Sequence, residues 1–574
     1  GPRPGWGWGG GGLWAATTPT PPPPRRGRGA APRGALLRGT VLGGTVLRGT
    51  ALRGTVMRGG AFRGTAGLAA LAVAGSLTAA CEVSIGDRGS GSGPTSSAAA
   101  GPAGPTTAGD PYVPGDGNGG YDVQNYSLKL NITPDASTEL NATATITATA
   151  KETLGRFNLD LTGLTISSIT VDGRPARQQR AGSELEVTPA KELAKGAKFT
   201  TVVKYSGTPR TISDPILGTY GWVRTSDGVF IACEPSGAHT WFPANDHPSD
   251  KATFDFEVTV PQGLTAIANG EPTTPVTGSD GGGTPGLPGA PGGGSGGGES
   301  PGGGSPNGGP SVVPAADRRA TTTTTWHVKQ PMATYLATVD VGRFSVRTSK
   351  TSGGIPVITA VDPSVPGVNV DAFAKLNADV IDQWSKLFGP YPFDSTGGLI
   401  DNAQVDFALE TQTRPVYGAF GLQPTVVAHE LSHQWFGDSV SVGRWQDIWL
   451  NEGFATYAEW LWGEKSGGPS VQDQFDQRYR EGSAGELWDV PPGNPGRRQM
   501  FGRSVYDRGG MTLVALRGRI GEPAFYRLLQ TWTKEHKYST GTTKEFIALA
   551  NKVSGKTLDA FFDAWLYRKG RPAK

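Results

Sequence analysis

The chain of 574 residues has only two cysteines, Cys81 and Cys233. Two thiols cannot build the cross-linked framework of a small secreted domain, so core size must carry the stability. Residues 1 to 81 lack acids altogether: they hold ten of the 53 basic residues, all arginine, and no aspartate or glutamate. The remainder therefore carries 43 basic against 50 acidic side chains, and the formal charge of +3 hides a mildly acidic folded part. Such a part offers no broad cationic surface, which argues against nucleic acid as a partner. Long apolar runs are also missing. The apolar stretch Gly67 to Ala80 has 14 residues, and a spanning helix needs about 20.

Glycine (87) and proline (45) are abundant, and they crowd into the first 65 residues, about 84 to 119 and about 278 to 319. Segments of this composition cannot bury enough apolar surface to fold. The 14-residue stretch belongs to "MRGGAFRGTAGLAALAVAGSLTAAC", residues 57 to 81, with Arg58 and Arg63 ahead of it and small residues before Cys81. That is the architecture of a secretory signal of lipoprotein type, with Cys81 as the acylation site, or of a cleaved signal on a freely secreted protein. The expected location is the extracellular face of the membrane or beyond it. Upstream, residues 1 to 56 form a low-complexity tail with a five-residue repeat, "LLRGTVLGGTVLRGT", whose period fits neither helix nor strand. Met57 is the favoured true start; the alternative is a basic tail.

A chain of this length predicts more than one domain. Residues 82 to 119 read as a flexible linker, and residues 120 to 347 as an all-β saddle or sandwich, because short alternating runs such as "YSLKLNI" and "TATITATA" recur between turn residues. The stretch 278 to 319 reads as a disordered hairpin insertion, cheap because closure entropy grows only logarithmically. From about 369 the apolar spacing becomes helical, in "NVDAFAKLNADVIDQWSKLFG", so residues 348 to 574 read as a mostly α domain. The fold class is multidomain α+β.

The chemistry sits in "VVAHELSHQWFGDSV", residues 426 to 440. Positions i and i+4 share a helix face, so His429 and His433 can turn imidazole nitrogens to one ion, with Glu430 beside them as general base. Glu452, in "WLNEGFATYAEW" on the next helix, would complete a His2Glu set with an open position, which suits one catalytic Zn²⁺ per chain. A surface helix bearing two solvated histidines would make the spacing and the third ligand two coincidences.

With "HELSHQWFGD" and "WLNEGFATYAE", and with "FGPYPF", "HTWFPANDHPSDKATF" and "MATYLATVDVGRF" elsewhere, the chain from about 120 to 574 resembles the aminopeptidase N family of gluzincin zinc metallopeptidases. The resemblance implies a β saddle, a thermolysin-like catalytic unit, and peptides with a free N-terminus as substrates, handled by a monomer. It points to Tyr506 in "SVYDRGGM" as the oxyanion donor, against a packed core tyrosine. It points to Glu410 and Glu234 as holders of the substrate amine, with an interdomain salt bridge as the alternative for Glu234. Glu459 and Asp438 are candidates to orient a ligand histidine, or to form surface salt bridges. Two departures stand out. The stretch "DFALETQTRP" puts Phe407, Leu409 and Thr411 where the family usually has glycine, methionine and asparagine, which predicts an altered pocket shape. The sequence also ends before the long C-terminal helical domain that many relatives carry. Other outcomes compatible with these residues are a zinc endopeptidase, an epoxide hydrolase, or a non-catalytic surface binding protein.

Overall fold

The computed structural model describes residues 101–278 and 320–574, apart from 138, 216 and 483. The tail, the signal segment with Cys81, the linker up to residue 100 and nearly all of the insertion lie outside the described residues. The strand Leu140–Ala150 alternates as its sequence demands: Leu140, Ala142, Ala144, Ile146, Ala148 and Ala150 are buried, and the Asn and Thr between them face outward. It pairs antiparallel with Tyr121–Ile132 on one side and Lys198–Gly207 on the other, at the centre of an eight-stranded sheet. Tyr121–Ile132 in turn runs parallel to Lys251–Pro261. Tyr126 stacks on Phe254 with 4.9 Å between ring centres, and Phe242 meets Tyr126 edge-on at 5.5 Å. A five-stranded sheet that includes Val229–Ala232 and Val339–Gly342 delivers two residues toward the other domain. Glu234 follows the first of these strands, and Tyr335 lies in a short turn, Thr334–Leu336, just before the second.

A further five-stranded sheet begins with the hairpin Ser345–Lys350 and Pro356–Val361, continues with parallel Thr396–Ile400 and Val416–Tyr417, and ends on the edge strand Ala408–Leu409. Three helices then frame the site. Helix α1 (Val370–Phe388) starts on Asn369, whose side chain accepts from the Ala372 N–H, and buries Phe373, Val380, Ile381, Trp384 and Phe388. Its Trp384 Nε1 donates to the Ala428 carbonyl at 3.0 Å, docking it on the next helix. Helix α2 (Pro424–Ser432) opens with proline in its first turn, where no N–H is missed, and every residue from Val426 to Ser432 is buried. Helix α3 (Trp449–Lys465) carries Glu452 in its first turn.

The predicted flexible linker is corrected at its C-terminal end. Residues 101–119 pack as a strap: Gly104 N donates to Arg156 O, and the Asp110 carboxylate accepts from the Trp445 N–H at 2.8 Å and faces His247 Nε2 at 3.3 Å. The Tyr112 hydroxyl donates to Asn494 Oδ1 and accepts from the Gly496 N–H, both at 2.7 Å. Composition misled here because the glycines of this stretch serve tight turns. At Gly117, with φ +68°, a Cβ would lie 2.6 Å from the His247 side chain.

Candidate metal centre

Helix α2 ends at the site. His429 lies in its last turn, His433 caps it with α-helical backbone angles, and α3 crosses beside them. His429 Nε2 and His433 Nε2 stand 3.4 Å and 3.5 Å from the same oxygen, Glu452 Oε2. All three side chains are buried. Tetrahedral ligands at about 2.05 Å from a zinc ion lie about 3.3 Å apart, so this donor set fits zinc in both chemistry and spacing.

Each histidine has an oxygen standing near its other nitrogen. His433 Nδ1 lies 3.0 Å from the Phe436 carbonyl, which can only accept, so the proton sits on Nδ1 and Nε2 keeps its lone pair for a metal. Glu459 Oε2 stands 3.6 Å from His429 Nδ1. Burial pushes the Glu452 carboxyl upward, but the two imidazoles beside it prevail and hold it down at about 2. Burial pushes the His429 imidazolium down, yet Glu452 and Glu459 hold it up at about 9. A histidine must give up that proton to ligate a metal, so metal uptake here releases protons.

Opposite the histidines stand more carboxylates than cations. Glu430 shares a cluster with Glu410 and His433, and Glu234 shares one with Glu410 and Glu452; in each cluster one ligand atom per residue lies within 4.8 Å of the others. Both Glu234 oxygens are buried and carry no hydrogen bond among the described residues. No Lys or Arg pairs with Glu234 among the described residues, so the salt-bridge alternative finds no cation there. Burial, with Glu410 and Glu452 nearby, pushes the Glu234 carboxyl far above the usual range.

Tyr506 lies in a turn of π-helix, Ser504–Arg508, a deformation common at functional sites. Its ring stacks on His429 at 6.2 Å with 18° between planes. Burial and the surrounding glutamates, Glu452 first, push its phenol well above 10, so it stays a donor. The turn can approach α3 because glycine meets glycine: a Cβ on Gly453 would lie 2.9 Å from the Gly509 backbone.

The profile described as "Peptidase family M1 domain" matches residues 421–565, and the one described as "Peptidase M1 N-terminal domain" matches 122–282. The chain belongs to peptidase family M1. Among curated M1 relatives, aminopeptidase N of Lactococcus lactis subsp. lactis is 24% identical over 485 residues, covering 78% of this chain and 51% of that protein. Tricorn protease-interacting factor F2 of Thermoplasma acidophilum is 23% identical, covering 72% of this chain and 50% of that protein. The chain thus spans about half the length of these relatives. The crystal structure of an M1 zinc metallopeptidase from Deinococcus radiodurans matches with 28% identity and a TM-score of 0.67, over 81% of this chain and 97% of that one. A mutant of that enzyme was solved with a Tyr-Ser-Ala substrate bound, and matches with a TM-score of 0.68.

The structure sharpens the reading of this M1 site at several residues. Asp438 does not orient a ligand histidine: its N–H donates to the His433 carbonyl at 2.9 Å, while its carboxylate bonds to neither histidine. The Phe436 carbonyl takes that part. The departures at Phe407 and Thr411 flank the two-residue strand Ala408–Leu409, and both are buried. Phe407 packs against Phe230, and the Thr411 hydroxyl donates to the Arg414 carbonyl. Sequence reasoning also missed Tyr335, whose hydroxyl lies 3.5 Å from Glu410 Oε1 and from Asn451 Nδ2. Its only signal was its place in "MATYLATVDVGRF".

Proposed function

We propose that the chain is a zinc-dependent aminopeptidase that removes N-terminal residues from peptides. The observation that carries this reading is the pairing of a His2Glu donor set with two buried, mutually facing carboxylates, Glu410 and Glu234, that are not part of it. His429, His433 and Glu452 would hold the ion. When bound, zinc supplies Lewis acidity and a water acidified to a pKa of about 7. Glu430 takes the proton of the attacking water and returns it to the leaving amine. The Tyr506 hydroxyl donates to the charge that develops on the scissile carbonyl oxygen.

Glu410 and Glu234 read the substrate's end. A buried carboxylate with no cation is costly, and an α-ammonium between two of them supplies charge-assisted hydrogen bonds, each about twice as strong as a neutral one. An acetylated N-terminus would leave both acids facing a neutral amide. Reporter amides with free and with acetylated amines separate this reading from an endopeptidase: cleavage of the free amine alone is expected, and equal cleavage of both would exclude an aminopeptidase.

The same proposal includes export, with anchoring through Cys81, and action as a monomer. The export and the anchor are supported by the sequence of residues 57 to 81. No helix of the described residues is long and apolar enough to cross a membrane. Metabolic labelling with a radioactive fatty acid that disappears in Cys81→Ala is the expected result; label that persists removes the anchor. Light scattering of the purified protein at one chain mass is expected, and a dimer mass would remove the monomer.

A further inference from the structure

Glu410 has no helix to fix it. It follows a two-residue edge strand, Ala408–Leu409, and leads into the turn Thr411 to Arg414. Thr413 in that turn has φ +65°, a left-handed conformation that is strained for a β-branched residue and persists only when its surroundings impose it. Three groups impose it. The Thr413 hydroxyl accepts from the Gly270 N–H at 2.7 Å, and Asn269 Nδ2 donates to the Gln412 carbonyl at 2.8 Å, both from the β domain. The third is Gln434, fully buried and next in sequence to the ligand His433.

The carboxamide of Gln434 spans the turn. Its Oε1 accepts from the Thr413 N–H at 2.7 Å and its Nε2 donates to the Glu410 carbonyl at 3.2 Å; the Tyr391 hydroxyl, which donates to the Ser395 carbonyl at 3.0 Å, lies 3.4 Å from Oε1. A backbone N–H faces one end and a carbonyl faces the other, so only one orientation of the amide satisfies both contacts. One end of the peptide unit 433–434 thus carries a metal ligand, and the next side chain grips the main chain on both sides of the strained turn. The backbone of Glu410 is held at a set distance from the metal-binding histidines.

We propose that Gln434 is a positioning residue that couples the amine-binding carboxylate of Glu410 to the metal site and so sets where the scissile carbonyl comes to rest. This rests on the reading that Glu410 holds the substrate amine. An exopeptidase needs that coupling more than an endopeptidase does, since one residue must fit between ammonium and metal. A displacement of about 1 Å at a reacting centre can cost 10²-fold in rate.

The test uses the zinc-loaded protein with three variants, Gln434→Met, Gln434→Glu and Glu410→Ala. Each is assayed on an alanyl reporter amide and on its des-amino analogue, the propionyl amide, with zinc content and thermal stability measured alongside. Gln434→Met keeps the length and loses every hydrogen bond. It is expected to retain one zinc per chain and to raise KM roughly tenfold or more, with kcat falling less. Its preference for the amine-bearing substrate should fall, in the direction that Glu410→Ala moves it. Gln434→Glu sets a second acceptor against the Glu410 carbonyl and is expected to be at least as impaired on KM, at nearly equal volume. A purely structural role for Gln434 would lower stability and the active fraction while leaving KM and amine preference alone. That outcome in Gln434→Met, beside a Glu410→Ala that does lose amine preference, overturns the proposal. If Glu410→Ala itself keeps its amine preference, the amine-site reading fails first and this proposal falls with it.

Discussion

The two ends of this site are built by different means. At the metal end, charge is matched locally: two imidazoles flank Glu452, and each has a partner behind it, Glu459 for His429 and the Phe436 carbonyl for His433. At the proposed amine end, Glu234 and Glu410 face each other with no Lys or Arg paired to them among the described residues, on segments from two domains. The first end is preorganised by helix periodicity, which places i and i+4 together with no help from elsewhere. The second is preorganised by long-range clamps through Gln434, Asn269 and the 410–414 turn. Substitutions that strike one end should therefore leave the other measurable.

The largest expected effect breaks the metal end's chemistry and spares its ligands. Glu430→Gln should retain one zinc per chain by metal analysis while turnover falls about 10²–10⁴-fold, the usual worth of a positioned base. Loss of the metal in that variant would mean that Glu430 is a ligand. Tyr506→Phe should follow, with turnover down about 10²–10³-fold at unchanged metal content. Unfolding of that variant would instead favour a packing role for the ring that stacks on His429.

A smaller effect sharpens the contrast within the metal end. Glu459→Gln should weaken zinc affinity about 10–100-fold in competition with a chelator, since it weakens the hold on His429 Nδ1. Asp438→Asn should leave that affinity unchanged, because its carboxylate reaches neither histidine. Equal losses in both would restore Asp438 to the part that the Phe436 carbonyl now plays.

This asymmetry also explains what could be read from sequence. The histidine pair, Glu430 and Glu452 declare themselves by helical spacing and by side-chain chemistry. The alternating strands do the same, as in Leu140–Ala150. Phe436 holds His433 through a main-chain carbonyl, which any residue could supply, so no residue type marked it and the nearby acid Asp438 drew the assignment. The strap 101–119 was hidden for a related reason. Its glycines and prolines look like those of the linker before it, and only Asp110 and Tyr112, bonded across to Trp445, Asn494 and Gly496, distinguish it. Gln434 carries no mark in the sequence, because a residue that grips a distant turn has no periodic signature.

The last prediction tests whether Glu234 is a ligand-binding acid or simply a buried one, by means of a buried acid that is satisfied. Asp340 is fully buried in the β domain; its Oδ1 accepts from the Ile231 N–H and its Oδ2 from the Thr338 hydroxyl, both at 2.8 Å. Burial pushes its carboxyl up to about 7, although the Ile231 and Thr338 bonds oppose the shift. The folded group then keeps its proton across a range where the unfolded one, near 3.8, has lost it. Stability falls as pH rises from about 4 to about 7, and the cost is complete above that. Asp340→Asn keeps the shape and the Ile231 bond without that cost, and its Nδ2 can donate to the Thr338 oxygen, whose proton has the Ile231 carbonyl as acceptor. It should raise the melting temperature at pH 8 by an amount worth on the order of 4 kcal/mol, with the gain vanishing near pH 4. Activity and its amine preference should not move, whereas Glu234→Gln should weaken amine preference at any pH where the protein is folded. A gain from Asp340→Asn that is equal at both pH values would mean that its carboxyl is ionised in the fold. Unchanged amine preference in Glu234→Gln would make Glu234 a second Asp340, a buried acid with no ligand to hold, and would leave Glu410 to read the substrate alone.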